Sequence, residues 1–290
     1  KLESDQGAAI SVQGGSLTVE RSVFENNVAL LGSGGAIWAA DSDVVVRDSL
    51  FEGQVALLDG AAVYATDSDV ELSGSRFYSN QVVRRAGAVY VDGLSTVSSM
   101  RNLYCANSDF GALGVAGALG VAGETPLQSF NDRFVDNASG GGGAVYVGGT
   151  SNALIAHSTA VRNRGDRSDF VVSAGESHVA VRLGVFAQHE GFLAAPIDPT
   201  SSVGFDRVMF YGAPGLGEAT LGAFVEVRDP MLVSTPIRDC EALDVRPRWE
   251  SDAINPAFNG GERPDLDGSI ADLGFHGGPE ADPYLWRDDD

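Results

Sequence analysis

A period of about 26 residues constrains this chain more than any other feature it carries. Small-small-apolar turns stand at Ala8-Ala9-Ile10, Gly35-Ala36-Ile37, Ala61-Ala62-Val63, Gly87-Ala88-Val89, Gly117-Ala118-Leu119 and Gly143-Ala144-Val145, at intervals of 27, 26, 26, 30 and 26 residues. An aromatic followed three residues later by an amide keeps the same step: Phe24 and Asn27, Phe51 and Gln54, Phe77 and Asn80, Tyr104 and Asn107, Phe134 and Asn137. Its intervals are 27, 26, 27 and 30. Two independent anchors with one period define a repeat protein. The long intervals of the two series overlap only between Tyr104 and Gly117, and there GALGVA at 111–116 is followed at once by GALGVA at 117–122. The second copy reads as the repeat's own strand, the first as a bulge or loop beside it.

Within a unit the apolar residues alternate or form short β-branched runs, as in Val44-Val45-Val46, Val70-Glu71-Leu72 and Val145-Tyr146-Val147, separated by Gly, Asp, Ser and Asn. These are strand and turn signals, and no window sustains a helical period. Two or three such strands cannot close a core alone, but stacking each unit on the next can. The expected fold is therefore all-β: a parallel β-helix, or solenoid, with successive coils about 4.8 Å apart. Phe24, Phe51, Phe77, Tyr104 and Phe134 then form an interior aromatic column. Asn27, Gln54, Asn80, Asn107 and Asn137 form an amide ladder at a turn. After Asn163 the anchors blur, and about three more coils with irregular corners are expected, Pro196, Pro199 and Pro214 lying between strands. The solenoid is assigned to residues 1–228, with regular coils over 7–165, and a C-terminal capping segment to 229–290.

The formal net charge is −21, and Lys1 is the only lysine. Such acidity argues against nucleic acid or an anionic membrane as partner and favours solubility or cation binding. The missing lysines remove Schiff-base and phosphate-loop chemistry. No apolar run is long enough for a membrane-spanning helix. Cys105 and Cys240 either pair or stay as small buried hydrophobes. The chain begins inside a repeat without Met, as expected of a fragment or a processed product.

Gly34-Gly35-Ala36-Ile37, with Phe24-Glu25-Asn26-Asn27 and Phe77-Tyr78-Ser79-Asn80, resembles the GGAI and FxxN repeats of the polymorphic outer membrane proteins. More broadly the chain resembles right-handed parallel β-helices of the pectate-lyase-like superfamily. That resemblance implies a single-stranded right-handed solenoid in a protein secreted by, or displayed on, a bacterial cell. The stretch from Asp229, ending in Asp265-Leu266-Asp267-Gly268-Ser269, Ala271-Asp272 and Gly277-Gly278-Pro279, resembles the terminal segment that closes many secreted bacterial β-helices. It implies an irregular C-terminal cap over an otherwise unpaired edge.

Asp41 and Asp43 recur as Asp67 and Asp69 one period later, so like charges should stack about 5 Å apart. Ca²⁺ would relieve this, and a solvated acidic edge is the plainer alternative. Asp265, Asp267 and Asp272 begin like a calcium loop but lack its closing Glu, and capping of a turn explains them equally. The four histidines have no metal-site spacing, and His189 reads as a surface residue. Asn137-Ala138-Ser139 is formally a glycosylation sequon, yet Asn137 belongs to the ladder. No nucleophile elbow, zinc signature or phosphate loop occurs, nor the N-T-D, D-D, G-H-G and R-I-K set of a polygalacturonase-like site. Arg162, Arg164 and Asp206-Arg207 are the residues available to a lyase-like mechanism.

The sequence thus points to a non-catalytic, structural or adhesive β-helix without a bound cofactor, Ca²⁺ being the one ion its residues suggest. Its expected partner is a copy of itself, stacked head to tail into an extracellular fibre, or a ligand on a surface. The alternative class is a carbohydrate-binding or lyase-like β-helix.

Overall fold

The computed structural model describes residues 3–4, 7, 9–111, 114–230 and 240. Among them every element is a strand and every strand pair is parallel, and the chain winds as a β-solenoid. Coil 1 holds the strands Ile10–Glu20, Val23–Glu25 and Val28–Ala29; coil 2 holds Ile37–Arg47, Leu50–Glu52 and Val55–Ala56. From coil 3 the long strand divides at its corner, giving Val63–Thr66 and Asp69–Ser73. Stacking these pieces makes sheets of fifteen, nine and seven strands. The nine-stranded sheet takes one strand from each coil, from Val23–Glu25 in coil 1 to Val225–Val227 in coil 9.

The register places the repeat's anchors on top of one another. Phe24 pairs with Phe51, Phe51 with Phe77, Phe77 with Tyr104 and Tyr104 with Phe134. Their rings stack with centroids 4.7 to 5.1 Å apart and planes within 11°. Leu119–Val121, from the second GALGVA, pairs with Val89–Asp92 and Val145–Val147, so that copy is the rung. Three further coils follow residue 165, and Pro196 is the last residue of the short edge strand Ala194–Pro196 rather than a loop residue.

Past coil 5 the core changes its means of filling space. Ala160 stands where Phe134 and Phe186 stand in the flanking coils. In the following coil Phe170 replaces the small residue that is Ala144, Ala118 or Ala88 earlier. The Phe170 ring packs 5.7 Å from Phe134 and 4.9 Å from Phe186, bridging the gap over Ala160. The small and large positions have exchanged, conserving volume at near-crystalline packing density. That exchange is why both anchor motifs vanish from the sequence while the coils continue.

Candidate functional site

Each coil turns through corners that share one construction: a residue with left-handed backbone, then an inward-pointing polar side chain. One corner uses Asn26, Gly53, Ser79, Ala106, Asp136, Arg162 and Gln188, all with positive φ. The residues that follow are Asn27, Gln54, Asn80, Asn107, Asn137, Asn163 and His189. Every amide in this ladder is fully or almost fully buried. Each side-chain oxygen accepts the backbone N–H of the equivalent residue one coil earlier: Asn80 N to Asn107 Oδ1 at 3.1 Å, Asn107 N to Asn137 Oδ1 at 3.0 Å, Asn137 N to Asn163 Oδ1 at 3.0 Å. The amide nitrogens of Asn80, Asn107 and Asn137 donate to the same acceptor and to a carbonyl of the preceding coil, as Asn107 does to Phe77 O at 2.8 Å. The turn leaves backbone groups that strand pairing cannot reach, and the ladder satisfies them.

Two more ladders occupy other corners. Ser22, Ser49, Ser75, Asn102 and Asp132 form one, linked by Ser49 N to Ser75 Oγ, Ser75 N to Asn102 Oδ1 and Asn102 N to Asp132 Oδ1 at 2.8–3.1 Å. Ser42, Ser68 and Ser95 form the other, and Thr125 and Ser151 continue it. Their 26- to 30-residue spacing is in the sequence, but serine between strands is common enough that the series does not stand out.

His189 is a correction. It is fully buried at the side chain and takes the rung after Asn163, its ring between the carbonyls of Asn163 and Ala160 at 3.3 and 3.2 Å. Burial holds its pKa below the ordinary histidine value, against the two carbonyls and Asp169, which act in the other direction. Asn137, the sequon residue, is fully buried within the ladder.

Asp43 pairs in register with Asp69, and both are exposed, as are Asp41 and Asp67. Asp41 and Asp67 have φ of 49° and 48°, and Gly14, Gly93, Gly123, Gly149 and Gly175 take the left-handed position at the corresponding corner of other coils. Aspartate tolerates that conformation better than most non-glycine residues. Asp67 also accepts Leu94 N–H at 2.9 Å, and Asp69 accepts the Thr96 hydroxyl at 2.6 Å. These carboxylates fasten turns to the next coil. Among the described residues no group of three or more His, Cys, Asp or Glu is placed to hold a metal ion. Asp265, Asp267 and Asp272 lie outside the described residues, as does the expected cap apart from Asp229, Pro230 and Cys240.

An open groove of about 780 Å³ beside Gly111 is lined by Asp109, Phe110, Arg164, Asp166, Asp169 and Glu190, with small residues between them. Asp109 is buried, which raises its pKa to about 6 against bonds from the Ser139 hydroxyl and Gly140 N–H. Asp169 is buried too and accepts Gly165 N–H and Gly191 N–H. Arg164 pairs with Glu190 at 3.1 Å in solvent. On another face Asp59 is 2% exposed and takes bidentate bonds from both Arg84 and Arg85, while Arg85 lies 4.4 Å over the Tyr90 ring. Burial pushes the Asp59 carboxyl up, and the two guanidiniums outweigh it and hold the carboxyl below its usual range. The lyase candidates are likewise engaged: Arg162 forks onto Asp136, and Arg207 onto its neighbour Asp206.

Cys105 and Cys240 are joined in a disulfide, with Cα atoms 6.2 Å apart across 135 residues of chain. Among the described residues no helix is long and apolar enough to cross a membrane. Residues 21–40 match the Chlamydia polymorphic membrane protein repeat. That window contains Phe24, Asn27 and Gly34-Gly35-Ala36-Ile37, one aromatic rung, one amide rung and one tight corner. No curated protein and no solved structure matches the chain. In a window of residues 21–40 out of 290, then, the chain is similar to a repeat of bacterial surface proteins, and that window runs from the short strands of coil 1 into the long strand of coil 2, most of one turn of the solenoid.

Proposed function

We propose that this chain is a non-catalytic, surface-displayed bacterial β-solenoid with a structural or adhesive role, working without a bound cofactor. The observation that carries this is where its reactive side chains go. Buried amides, hydroxyls and carboxylates are spent on ladder and turn hydrogen bonds, and the arginines named above are paired to carboxylates. Catalysis needs groups converging on a substrate with capacity to spare. The likeness of residues 21–40 to a polymorphic membrane protein repeat supports display at a cell surface. Within this proposal, copies of the chain stack head to tail. In coil 1 Ile10, Val12, Leu17 and Phe24 are only partly buried, and in coil 9 Leu221 and Val227 are exposed, so among the described residues the first and last coils offer apolar side chains to a second copy. Negative-stain electron microscopy across a concentration series tests the stacking. Monodisperse single particles at the highest concentration refute it.

The acidic groove beside Gly111 favours a second role, in polysaccharide binding or cleavage. A glycan array and a lyase assay, each with and without chelator, separate the two. Saturable cleavage lost in Asp166→Asn would replace the first proposal with the second.

A further inference from the structure

The corner that follows the seven-stranded sheet changes its chemistry along the solenoid. Ala29 pairs with Ala56, Ala56 with Val82 and Val82 with Asp109, so the next residues, Leu30, Leu57, Val83 and Phe110, form a row at steps of about 4.8 Å. Leu57 N–H and Phe110 N–H donate to the carbonyls of Ala29 and Val82, which carries that register past the strand ends. Leu30 is 54% exposed, Leu57 39% and Phe110 63%, and Leu31 beside them is 67% exposed. The pairing of Ser108 with Ala138 and of Ser139 with Gly165 puts Gly140 and Asp166 at the same place in coils 5 and 6. A corner that accepts glycine and aspartate does not need leucine or phenylalanine in order to fold. Apolar side chains standing in water in one contiguous row mark a surface of interaction, where single scattered ones would not.

The row runs directly into the open groove, and Phe110 belongs to both. Four carboxylates line that groove, Asp109, Asp166, Asp169 and Glu190, against the single Arg164, which is already paired to Glu190. Beside Val83, Arg84 and Arg85 are both held on Asp59. The surface is thus apolar over coils 1 to 4 and acidic beyond them, in a chain of formal net charge −21. A second copy, or an anionic lipid surface, would bring like charge to the acidic end. A segment that is apolar at one end and basic at the other complements the surface along its whole length. From Leu30 to Asp166 is five coil steps, about 24 Å, the length of roughly sixteen residues of helix. A helical turn of about 5.4 Å comes close to the coil step, so one apolar side chain per turn meets one per coil. We propose that the row and the groove together dock a basic amphipathic helix of a partner protein, its apolar half on Leu30, Leu57, Val83 and Phe110 and its basic half over Asp166 and Glu190. This inference rests on neither of the roles proposed above.

Fluorescence anisotropy with the full chain tests it. The probe is a labelled synthetic peptide of about eighteen residues, with leucines along one face of its first half and lysines over its second. Saturable binding is expected, stronger at low salt and weakened about tenfold by the double exchange Leu30→Gln and Phe110→Gln. That exchange alters no charge and sits at exposed positions, so Tm should stay in place. Asp166→Asn with Glu190→Gln should weaken binding to a similar degree, and the same peptide with glutamates for its lysines should not bind. A peptide that fails to bind up to its solubility overturns the proposal, and so does binding indifferent to the Leu30 and Phe110 exchange. Sedimentation with phosphatidylcholine vesicles and light scattering of the chain alone read the other occupants. Vesicle binding or self-association abolished by that exchange assigns the row to lipid or to a second copy, and overturns the proposal as well.

Discussion

Asp132→Asn is expected to stabilise the protein at neutral pH. Asp132 is fully buried on the serine and asparagine ladder. Its Oδ1 accepts Asn102 N–H at 2.8 Å, and its Oδ2 accepts the Ser99 and Ser129 hydroxyls at 2.6 and 2.7 Å. Burial nevertheless raises its pKa from 3.8 to about 6. Between those values the folded state keeps a proton that the unfolded state has released, so stability falls as pH rises through the window and is lowest above it. A shift of about two units corresponds to roughly 3 kcal/mol of stability missing at pH 7. Asparagine avoids that cost, and Asn102 already fills the same rung one coil earlier, donating to Leu72 O and Ser99 Oγ at 3.0 Å. The two serines would have to turn their hydroxyls and accept, which takes back about 1 kcal/mol. The net expectation is a gain of roughly 2 kcal/mol at pH 7.5, or a Tm higher by about 4–8 °C. Thermal unfolding followed by circular dichroism at pH 4.5, 5.5 and 7.5 reads both effects. The variant's advantage should be largest at pH 7.5 and shrink towards pH 4.5; in the unmutated protein Asp109 adds to the Asp132 slope, while His189 and Asp59, whose pKa values are lowered, oppose it. A variant that melts lower at pH 7.5, with the pH slope unchanged, would show that Asp132 is a stabilised anion and refute the burial argument.

Phe77→Ala removes a ring stacked on both sides, at 5.1 Å from Phe51 and 5.0 Å from Tyr104, and should cost about 3–5 kcal/mol in chemical denaturation. Asn107→Ala strands the Asn80 backbone N–H, the Asn80 amide and the Phe77 carbonyl, so a loss of roughly 3 kcal/mol is expected, with amide exchange fastest at Asn80. Asp67→Gly places glycine where other coils already have it, and stability should stay within about 0.5 kcal/mol, with Ca²⁺ or chelator leaving Tm unchanged in both proteins. A calcium-dependent rise in Tm confined to the unmutated chain would restore Asp41, Asp43, Asp67 and Asp69 as an ion site.

The fold was legible wherever a single side-chain type is forced at a stacked position. Phe51 and Asn80 each sit between near-identical neighbours, and stacking rewards repetition of the same shape and the same hydrogen-bond pattern. It became illegible where two positions trade volumes. Ala160 and Phe170 break both motifs at once, although together they fill the space that one phenylalanine and one alanine fill in each earlier coil. The surface reading of His189 fails for a related reason: an imidazole can hydrogen-bond in the amide's place, yet its letter belongs to a class that is usually looked for on surfaces or at metals. The pairing of Cys105 with Cys240 depends on where the chain goes after coil 9, which no periodicity within the coils encodes.

The same regularity bears on how such a chain carries function. On the three ladders the residue after the corner is hydrogen-bonded to a neighbouring coil, so a change in one rung is felt by its neighbours, as Asn107 is by Asn80 and Asn137. Positions on the ladders are thus closed to variation for binding. What remains open is the corner residue where it is exposed, as at Arg21, Asn26, Asp41, Asp48, Asp67 and Arg101, whereas Ala86, Asn131, His157 and Leu183 are buried. A solenoid built this way varies its surface along its length without disturbing its core, coil by coil, at about 5 Å intervals. If the adhesive proposal is right, specificity resides in rows of such corner residues. Exchanging Asp41, Asp48 and Asp67 together should then change binding while leaving Tm in place. Loss of the fold in that triple variant would show that the corners, too, belong to the architecture.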